Sequence, residues 1–241
     1  MLDQRFAQWF KGKSFTTDFA SAHLQTWADI FEPIREQPLS ILEIGSWEGR
    51  SAIFFLEFFV RSRLTCVDTF EGGDSERVRD PVYSQSLSDL ERRFDLNLSD
   101  YGSRYEKMKM RSLPALDKLV ESGRLFDLIY IDGSHQRDDV LVDSIMSWRV
   151  LAHGGHIIWD DYLYDMDRPS QAPKQAIDTF LSLNRGDFTL VHKGSQIIIR
   201  RLPSSELWDG ALTLRLARTP RNFIKFLRGH PIRFTPHLEG Q

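Results

Sequence analysis

The sequence predicts an α/β fold, a doubly wound and mostly parallel sheet that ends in an antiparallel hairpin. Three observations carry this expectation. Short apolar runs alternate with segments of helical periodicity along residues 39–183. Most of these runs stop at a glycine or an aspartate, as strands do when they feed a loop. The last two runs, Asp187 to His192 and Ser195 to Arg201, are separated only by Lys193-Gly194. A connection that short makes a hairpin, whereas strand–helix alternation implies parallel strands with right-handed crossovers.

The elements follow in order. Residues 18–35 have helical spacing through Phe19, Ala22, His23, Thr26, Trp27, Ile30 and Phe31, with Asp18 as a cap and Pro33 and Pro38 as stops. Leu39 to Ile44 reads as a buried strand ending at Gly45, and Gly49 to Val60 as a helix that packs on the sheet through Phe54, Phe55, Phe58 and Phe59. Leu64 to Val67 is the next strand, ending at Asp68, and Glu71 to Asp80 is a glycine-containing acidic loop. Val82 to Leu98 reads as a helix and Tyr105 to Met110 as a strand. Ser112 caps a helix over Leu113 to Glu121, where Pro114 is tolerated because the first turn has no N–H bond to lose. Phe126 to Ile131 is a strand ending at Asp132. His135 to Leu151 is a helix with Val140, Ile145, Trp148 and Leu151 inward, stopped by Gly154-Gly155. His156 to Trp159 is a strand ending at Asp160-Asp161, and Lys174 to Leu183 is a helix. Residues 1–38 therefore form an N-terminal helical segment, 39–202 the main domain and 203–241 a basic tail.

Bulk properties narrow the function classes. The chain has 241 residues, 41 % hydrophobic and 27 % charged, enough for one full core. A net charge of -3 disfavours a nucleic-acid partner. The tail carries Arg215, Arg218, Arg221, Lys225, Arg228 and Arg233 against Glu206, Asp209 and Glu239, with Phe223, Phe226 and Phe234 interleaved; this reads as a solvated helix packed through its aromatics. The single cysteine, Cys66, can form neither an internal disulfide nor a thiolate cluster and reads as a small buried hydrophobe. No signal peptide is visible, and the longest apolar stretch, Ala52 to Val60, is far too short to span a bilayer, so the expected location is cytoplasmic. A homo-oligomer is left open.

Ligands of a doubly wound sheet bind beyond the carboxyl ends of its strands. There the chain places Glu43-Ile-Gly-Ser-Trp-Glu-Gly49, a strand–turn–helix. Gly45 and Gly49 let the backbone approach a ligand, and the N–H groups of the following helix favour a carboxylate. Asp68, ending the next strand, has the chemistry to accept a ribose diol. The loop lacks the Gly-x-Gly-x-x-Gly spacing that seats a pyrophosphate. Glu43 would repel a diphosphate but suits the sulfonium and ammonium of S-adenosylmethionine.

Asp132, in Asp132-Gly-Ser-His135, and the pair Asp160-Asp161 end two strands separated by one helical crossover. They can converge. Two bare carboxylates ~4 Å apart repel by ~4 kcal/mol at an effective dielectric of about 20, so three together call for a cation or a shared proton. An all-oxygen set favours Mg²⁺, with Mn²⁺ or Ca²⁺ as substitutes. The expected chemistry is a cation on Asp132, Asp160 and Asp161 that acidifies a substrate hydroxyl. His135, with an unperturbed pKa of about 6.5, then removes the proton; Asp132 is the alternative base. His153, His156 and His192 read as structural or surface residues.

Four segments carry a family resemblance: Leu42-Glu-Ile-Gly-Ser-Trp-Glu-Gly-Arg-Ser51, Cys66-Val-Asp-Thr-Phe70, Ile129-Tyr-Ile-Asp-Gly-Ser-His135 and Gly154-Gly-His-Ile-Ile-Trp-Asp-Asp-Tyr162. The chain resembles the class I S-adenosylmethionine-dependent methyltransferases, within them the small-molecule O-methyltransferases related to macrocin O-methyltransferase, over roughly residues 39–200. In motif order and acidic triad it is similar also to catechol O-methyltransferase. The resemblance implies a Rossmann-like, seven-stranded sheet with the last strand antiparallel. It implies cofactor contacts at Glu43, Gly45, Trp47, Ser51 and Asp68, with Ser112 near the adenine. It implies a metal triad of Asp132, Asp160 and Asp161. His135 falls where the catechol enzyme places a lysine base, which leaves the choice between His135 and Asp132 open.

The leading expectation is metal-assisted O-methylation of a hydroxylated small molecule: a sugar, a polyketide-like or an aromatic product. A nicotinamide-dependent oxidoreductase competes but lacks the second glycine. A non-catalytic S-adenosylmethionine-binding module working through the tail is the third reading. A nucleic-acid methyltransferase is the weakest, given the acidic loop and the net charge.

Overall fold

The computed structural model describes residues 4–73, 87, 89–164, 167 and 172–204. The chain divides into two units, 1–201 and 202–241. The first carries all the elements that follow, and the expected tail helix lies outside the described residues.

Seven strands form one sheet: β1 (Ser40–Ile44), β2 (Arg63–Asp68), β3 (Tyr105–Lys109), β4 (Phe126–Ile131), β5 (Leu151–Trp159), β6 (Phe188–Lys193) and β7 (Ile197–Arg201). Their order is β3-β2-β1-β4-β5-β7-β6. The first five are parallel; β7 runs antiparallel to both β5 and β6. The helices are α1 (Gln4–Trp9), α2 (Leu24–Phe31), α3 (Arg50–Phe58), α4 (Leu90–Leu98), α5 (Ser112–Glu121), α6 (Arg137–Val150) and α7 (Pro173–Leu183). This is the predicted Rossmann-like α/β fold with its terminal hairpin.

The central strands are apolar on both faces because helices cover both. Side chains alternate along β4: Leu128 and Tyr130 join one core with α1 to α4, and Ile129 and Ile131 join the other with α5 to α7. Helix α3 has little polar surface. Ala52, Ile53, Phe54, Phe55, Leu56 and Phe58 are all buried, so one side meets the sheet and the other needs a second cover. The N-terminal segment supplies it. Phe6 and Trp9 pack edge-on against Phe54, and Trp27 stacks on Phe55 at 5.3 Å. Each fully buried aromatic of this set, Phe6, Trp27, Phe54 and Phe55, contributes about 1.5–3 kcal/mol.

Several boundaries differ from the sequence expectation. Helix α2 starts at Leu24 rather than residue 18; Asp18 instead accepts the Ser21 N–H in a turn. Of the helix expected over 82–98, Leu90–Leu98 is helical, and 82–86 and 88 lie outside the described residues. Ser112 is the first residue of α5, with Arg111 at the cap position. Ile145, expected inward, is 45 % exposed. Gly154-Gly155 does not end α6. The helix stops at Val150, and β5 runs through both glycines with a register shift against β4. Gly154 has φ 84°, which fits a bulge inside a strand.

Candidate active site

The loop after β1 is fixed by its neighbours on both sides. The Gly45 N–H donates to the Val67 carbonyl, and the Asp132 N–H donates to the Ile44 carbonyl. Gly45 has φ 87°, and a Cβ there would lie 2.0 Å from the Asp132 carbonyl oxygen. Only glycine fits between the ends of β2 and β4. Gly49, at φ 84°, is the cap residue of α3. Between them Trp47 takes φ 47°. Phe70 after β2 and Asp161 after β5 also have left-handed backbones. These are the three non-glycine residues with positive φ among the described residues, and all lie past carboxyl strand ends. Such strain gathers at functional rims.

Glu43 is fully buried, and neither carboxylate oxygen accepts a hydrogen bond of good geometry. Burial pushes its carboxyl up to about 7. The nearby Ser46 and Ser51 hydroxyls and Cys66 thiol pull it down in part, and Asp68 adds to the rise. Asp68 braces the loop. Its Oδ2 accepts the N–H groups of Ser46 and Trp47, both at 2.8 Å, and its Oδ1 accepts that of Phe70 at 2.6 Å. Ser51 is buried in the first turn of α3. The Ser112 hydroxyl is hydrogen-bonded to buried Asp143 of α6, whose carboxyl burial pushes up to about 6 against that bond.

The N-terminal segment is tied to the same loop. Buried Glu48 accepts the Thr16 N–H at 2.8 Å, the Thr16 hydroxyl at 2.6 Å and the Arg93 Nε at 2.8 Å. The Trp47 indole donates to the Thr17 hydroxyl, and Arg50 lies 4.0 Å from the Phe15 ring centroid.

Beyond β4 and β5, Asp132, His135 and Asp161 each offer a ligand atom within 4.8 Å of the others. His135 Nε2 is 2.8 Å from Asp161 Oδ2, and its ring leans on Tyr164 at 4.7 Å. Asp160, expected in the same set, turns behind it. Its Oδ2 accepts the Tyr130 hydroxyl at 2.5 Å and the Gln196 amide at 2.9 Å, and its Oδ1 accepts the Asp161 N–H. The Tyr130 hydroxyl also reaches Asp132 Oδ2 at 2.8 Å. One hydroxyl proton serves two carboxylates. Burial and the charges of Asp160 and Asp161 hold the Asp132 carboxyl well above the usual range, with the Tyr130 bond opposing.

Sequence reasoning passed over Tyr130, Gln196, Trp27 and Glu48. For Tyr130 a signal existed: it stands two residues before Asp132, and strand alternation puts both on one face. The other three act through contacts distant in sequence.

A family model for a methyltransferase domain matches residues 42–162, half of the chain. The chain belongs to this methyltransferase family. Solved methyltransferase structures share its fold. MycE of the mycinamycin biosynthetic pathway, solved with Mg, SAH and mycinamycin VI, is 17 % identical with a TM-score of 0.56 over 87 % of this chain and 56 % of its own. The O-methyltransferase from Bacillus cereus, solved with SAH, is 17 % identical with a TM-score of 0.58 over 83 % and 91 %. An uncharacterized protein of Acanthamoeba polyphaga mimivirus is 24 % identical over 65 % of this chain and 66 % of its own. The methyltransferase chain thus spans about half to two thirds of the length of MycE and the viral relative. Among the described residues no helix is long and apolar enough to cross a membrane.

Proposed function

We propose that this methyltransferase moves a methyl group from S-adenosylmethionine to a hydroxyl oxygen of a small molecule, assisted by a divalent cation. The observation that carries the reading is the grouping of Asp132, His135 and Asp161 within 4.8 Å, past strand β4, next to the Glu43–Gly49 loop on β1. MycE, solved with Mg, SAH and mycinamycin VI, supports it by analogy.

The residues suit both groups. A buried carboxylate that accepts no hydrogen bond of good geometry, Glu43, fits a cationic partner. The glycine-only approach at Gly45 and the first-turn N–H groups of α3 fit the carboxylate end of an amino acid. Asp68, with each oxygen already accepting, retains lone pairs for a diol. Trp47, Gly49 and Ser51 complete that side, with Ser112 toward the adenine. Asp132 and Asp161 offer carboxylate oxygens for a hard cation such as Mg²⁺ or Mn²⁺, His135 stands beside them as the base, and Asp160 lies behind them. When bound, the cofactor supplies an electrophilic methyl group and the cation lowers the pKa of the acceptor hydroxyl. His135 takes the hydroxyl proton, with Asp132 as the alternative base. Asp161 orients the imidazole at 2.8 Å. Residues 39–202 carry this machinery, and a tail deletion that keeps turnover would remove the reading of a non-catalytic binding module working through 203–241.

The test is a panel of hydroxylated metabolites incubated with S-adenosylmethionine, with Mg²⁺ or with EDTA. Transfer to oxygen that EDTA abolishes is expected. Full turnover in EDTA, or transfer to nitrogen or sulfur alone, overturns the reading. Calorimetric titration with S-adenosylmethionine and NADH separates it from nicotinamide chemistry.

A further inference from the structure

Behind the candidate cation ligands runs a chain of buried polar groups that joins three parts of the fold. The Trp27 indole of α2 donates to Gln196 Oε1 at 2.7 Å. The Gln196 amide, just before β7, donates to Asp160 Oδ2 at 2.9 Å. The Tyr130 hydroxyl of β4 bridges that same oxygen to Asp132 Oδ2. Trp27, Tyr130 and Gln196 are each at most 1 % exposed. The chain stops at one oxygen of Asp132, and Oδ1 accepts no hydrogen bond from the described residues. A carboxylate held by one oxygen from behind presents the other forward in a fixed orientation.

We infer that Tyr130 and Gln196 are positioning residues that aim the Asp132 carboxylate at the cation, Tyr130 directly and Gln196 through Asp160, with Trp27 holding Gln196 in register. The inference rests on the reading of Asp132 as a cation ligand. Groups that orient a ligand side chain commonly change metal affinity by roughly tenfold to a hundredfold when removed. Plain packing does not explain the arrangement. A buried tyrosine hydroxyl needs one acceptor, and this one lies between two carboxylates that would otherwise repel. Replacing it with Phe keeps the ring among Trp27 and Phe55 and removes only the link.

The test uses the full chain and Mn²⁺ alone, with affinity read from the free-ion electron paramagnetic resonance signal and stability from thermal melting. Tyr130→Phe is expected to weaken Mn²⁺ roughly tenfold or more, and Gln196→Met by a smaller factor. Ser144→Ala is the control. It breaks a comparable buried bond, Trp159 Nε1 to Ser144 Oγ at 2.8 Å, on the other face of the sheet, and it should lower the melting temperature without moving Mn²⁺ affinity. If Tyr130→Phe does not fold, Gln196→Met carries the test. Affinities within about twofold of the parent chain in the folded variants overturn the inference, as does an equal loss in Ser144→Ala. A parent chain that binds no Mn²⁺ overturns the cation reading, and this inference with it.

Discussion

His135 Nε2 stands 2.8 Å from Asp161 Oδ2, and this bond ties the loop after β4 to the loop after β5. Asp161 reaches it from a left-handed backbone at φ 56°. A side chain held in a strained conformation by its surroundings is pre-set for its contact, here to fix the imidazole beside Asp132. We expect His135→Ala to cut turnover by about 10²–10⁴. Calorimetric affinity for S-adenosylmethionine should stay within about threefold, because general-base loss acts on the chemical step. Unchanged turnover would shift the proton removal to Asp132.

Glu43 gives a stability signature with a definite sign. Its folded carboxyl is raised from 4.5 to about 7, mainly by burial. Its contribution to stability is therefore full below about pH 4.5, falls as pH rises toward about 7, and is flat above. The cost at pH 8 is on the order of 3 kcal/mol. Glu43→Gln should raise the melting temperature of the ligand-free protein at pH 8 by about 5–10 °C, and the two proteins should converge near pH 4.5. If Glu43 faces the sulfonium as proposed, the same variant should bind S-adenosylmethionine more weakly, since it removes that charge. A gain in stability coupled to a loss of binding identifies a group kept for function. A variant less stable at pH 8 than the parent would contradict this.

Glu48 acts in the opposite sense. Its carboxylate is 1 % exposed and holds Thr16, Thr17 and Arg93 at once. Removing one partner of a buried ion pair strands the other, which costs about 3–5 kcal/mol. Glu48→Ala should lower the melting temperature by roughly 10 °C. It should also open residues 11–19 to limited proteolysis ahead of the rest of the fold, because the strap over the Trp47 loop loses its anchor. Cleavage elsewhere first would assign the loss to α4 instead.

These residues mark what the sequence makes legible. The sheet could be read because its strands are apolar on both faces and stop at residues suited to loops, as at Gly45, Asp68 and Asp132. The convergence of Asp132 and Asp161 followed from one helical crossover between neighbouring strands. What escaped depends on distant partners. Residues 18–23 have helical periodicity but follow a strap pinned at Thr16 and Thr17 by Glu48, which no local pattern announces. Asp160 and Asp161 read alike in sequence. The left-handed turn at Asp161 sends one carboxylate toward His135 and leaves the other facing Tyr130 and Gln196. Gly154-Gly155 reads as a helix stop, yet Gly154 makes the bulge that lets β5 continue.

Gly45 offers the sharpest contrast between steric and conformational demands. A Cβ at Gly45 would meet the Asp132 carbonyl oxygen at 2.0 Å and the Gly133 Cα at 2.7 Å. Both are backbone atoms, so the ends of β1 and β4 would have to separate. Gly123, after α5, has φ 69°, but a Cβ added there would have nothing within 4 Å. At that position an alanine meets only the left-handed penalty of about 1–2 kcal/mol. Gly123→Ala should therefore melt only a few degrees lower and keep its affinity for S-adenosylmethionine and Mn²⁺. Gly45→Ala carries the same backbone penalty plus the displaced strand end, and overpacking adds about 1–3 kcal/mol or more. It should lose more stability than Gly123→Ala and bind both ligands more weakly, because the Glu43 loop and Asp132 meet at this contact. Equal melting temperatures and equal affinities in the two variants would show that the Gly45 contact is not what holds the two halves of the site together.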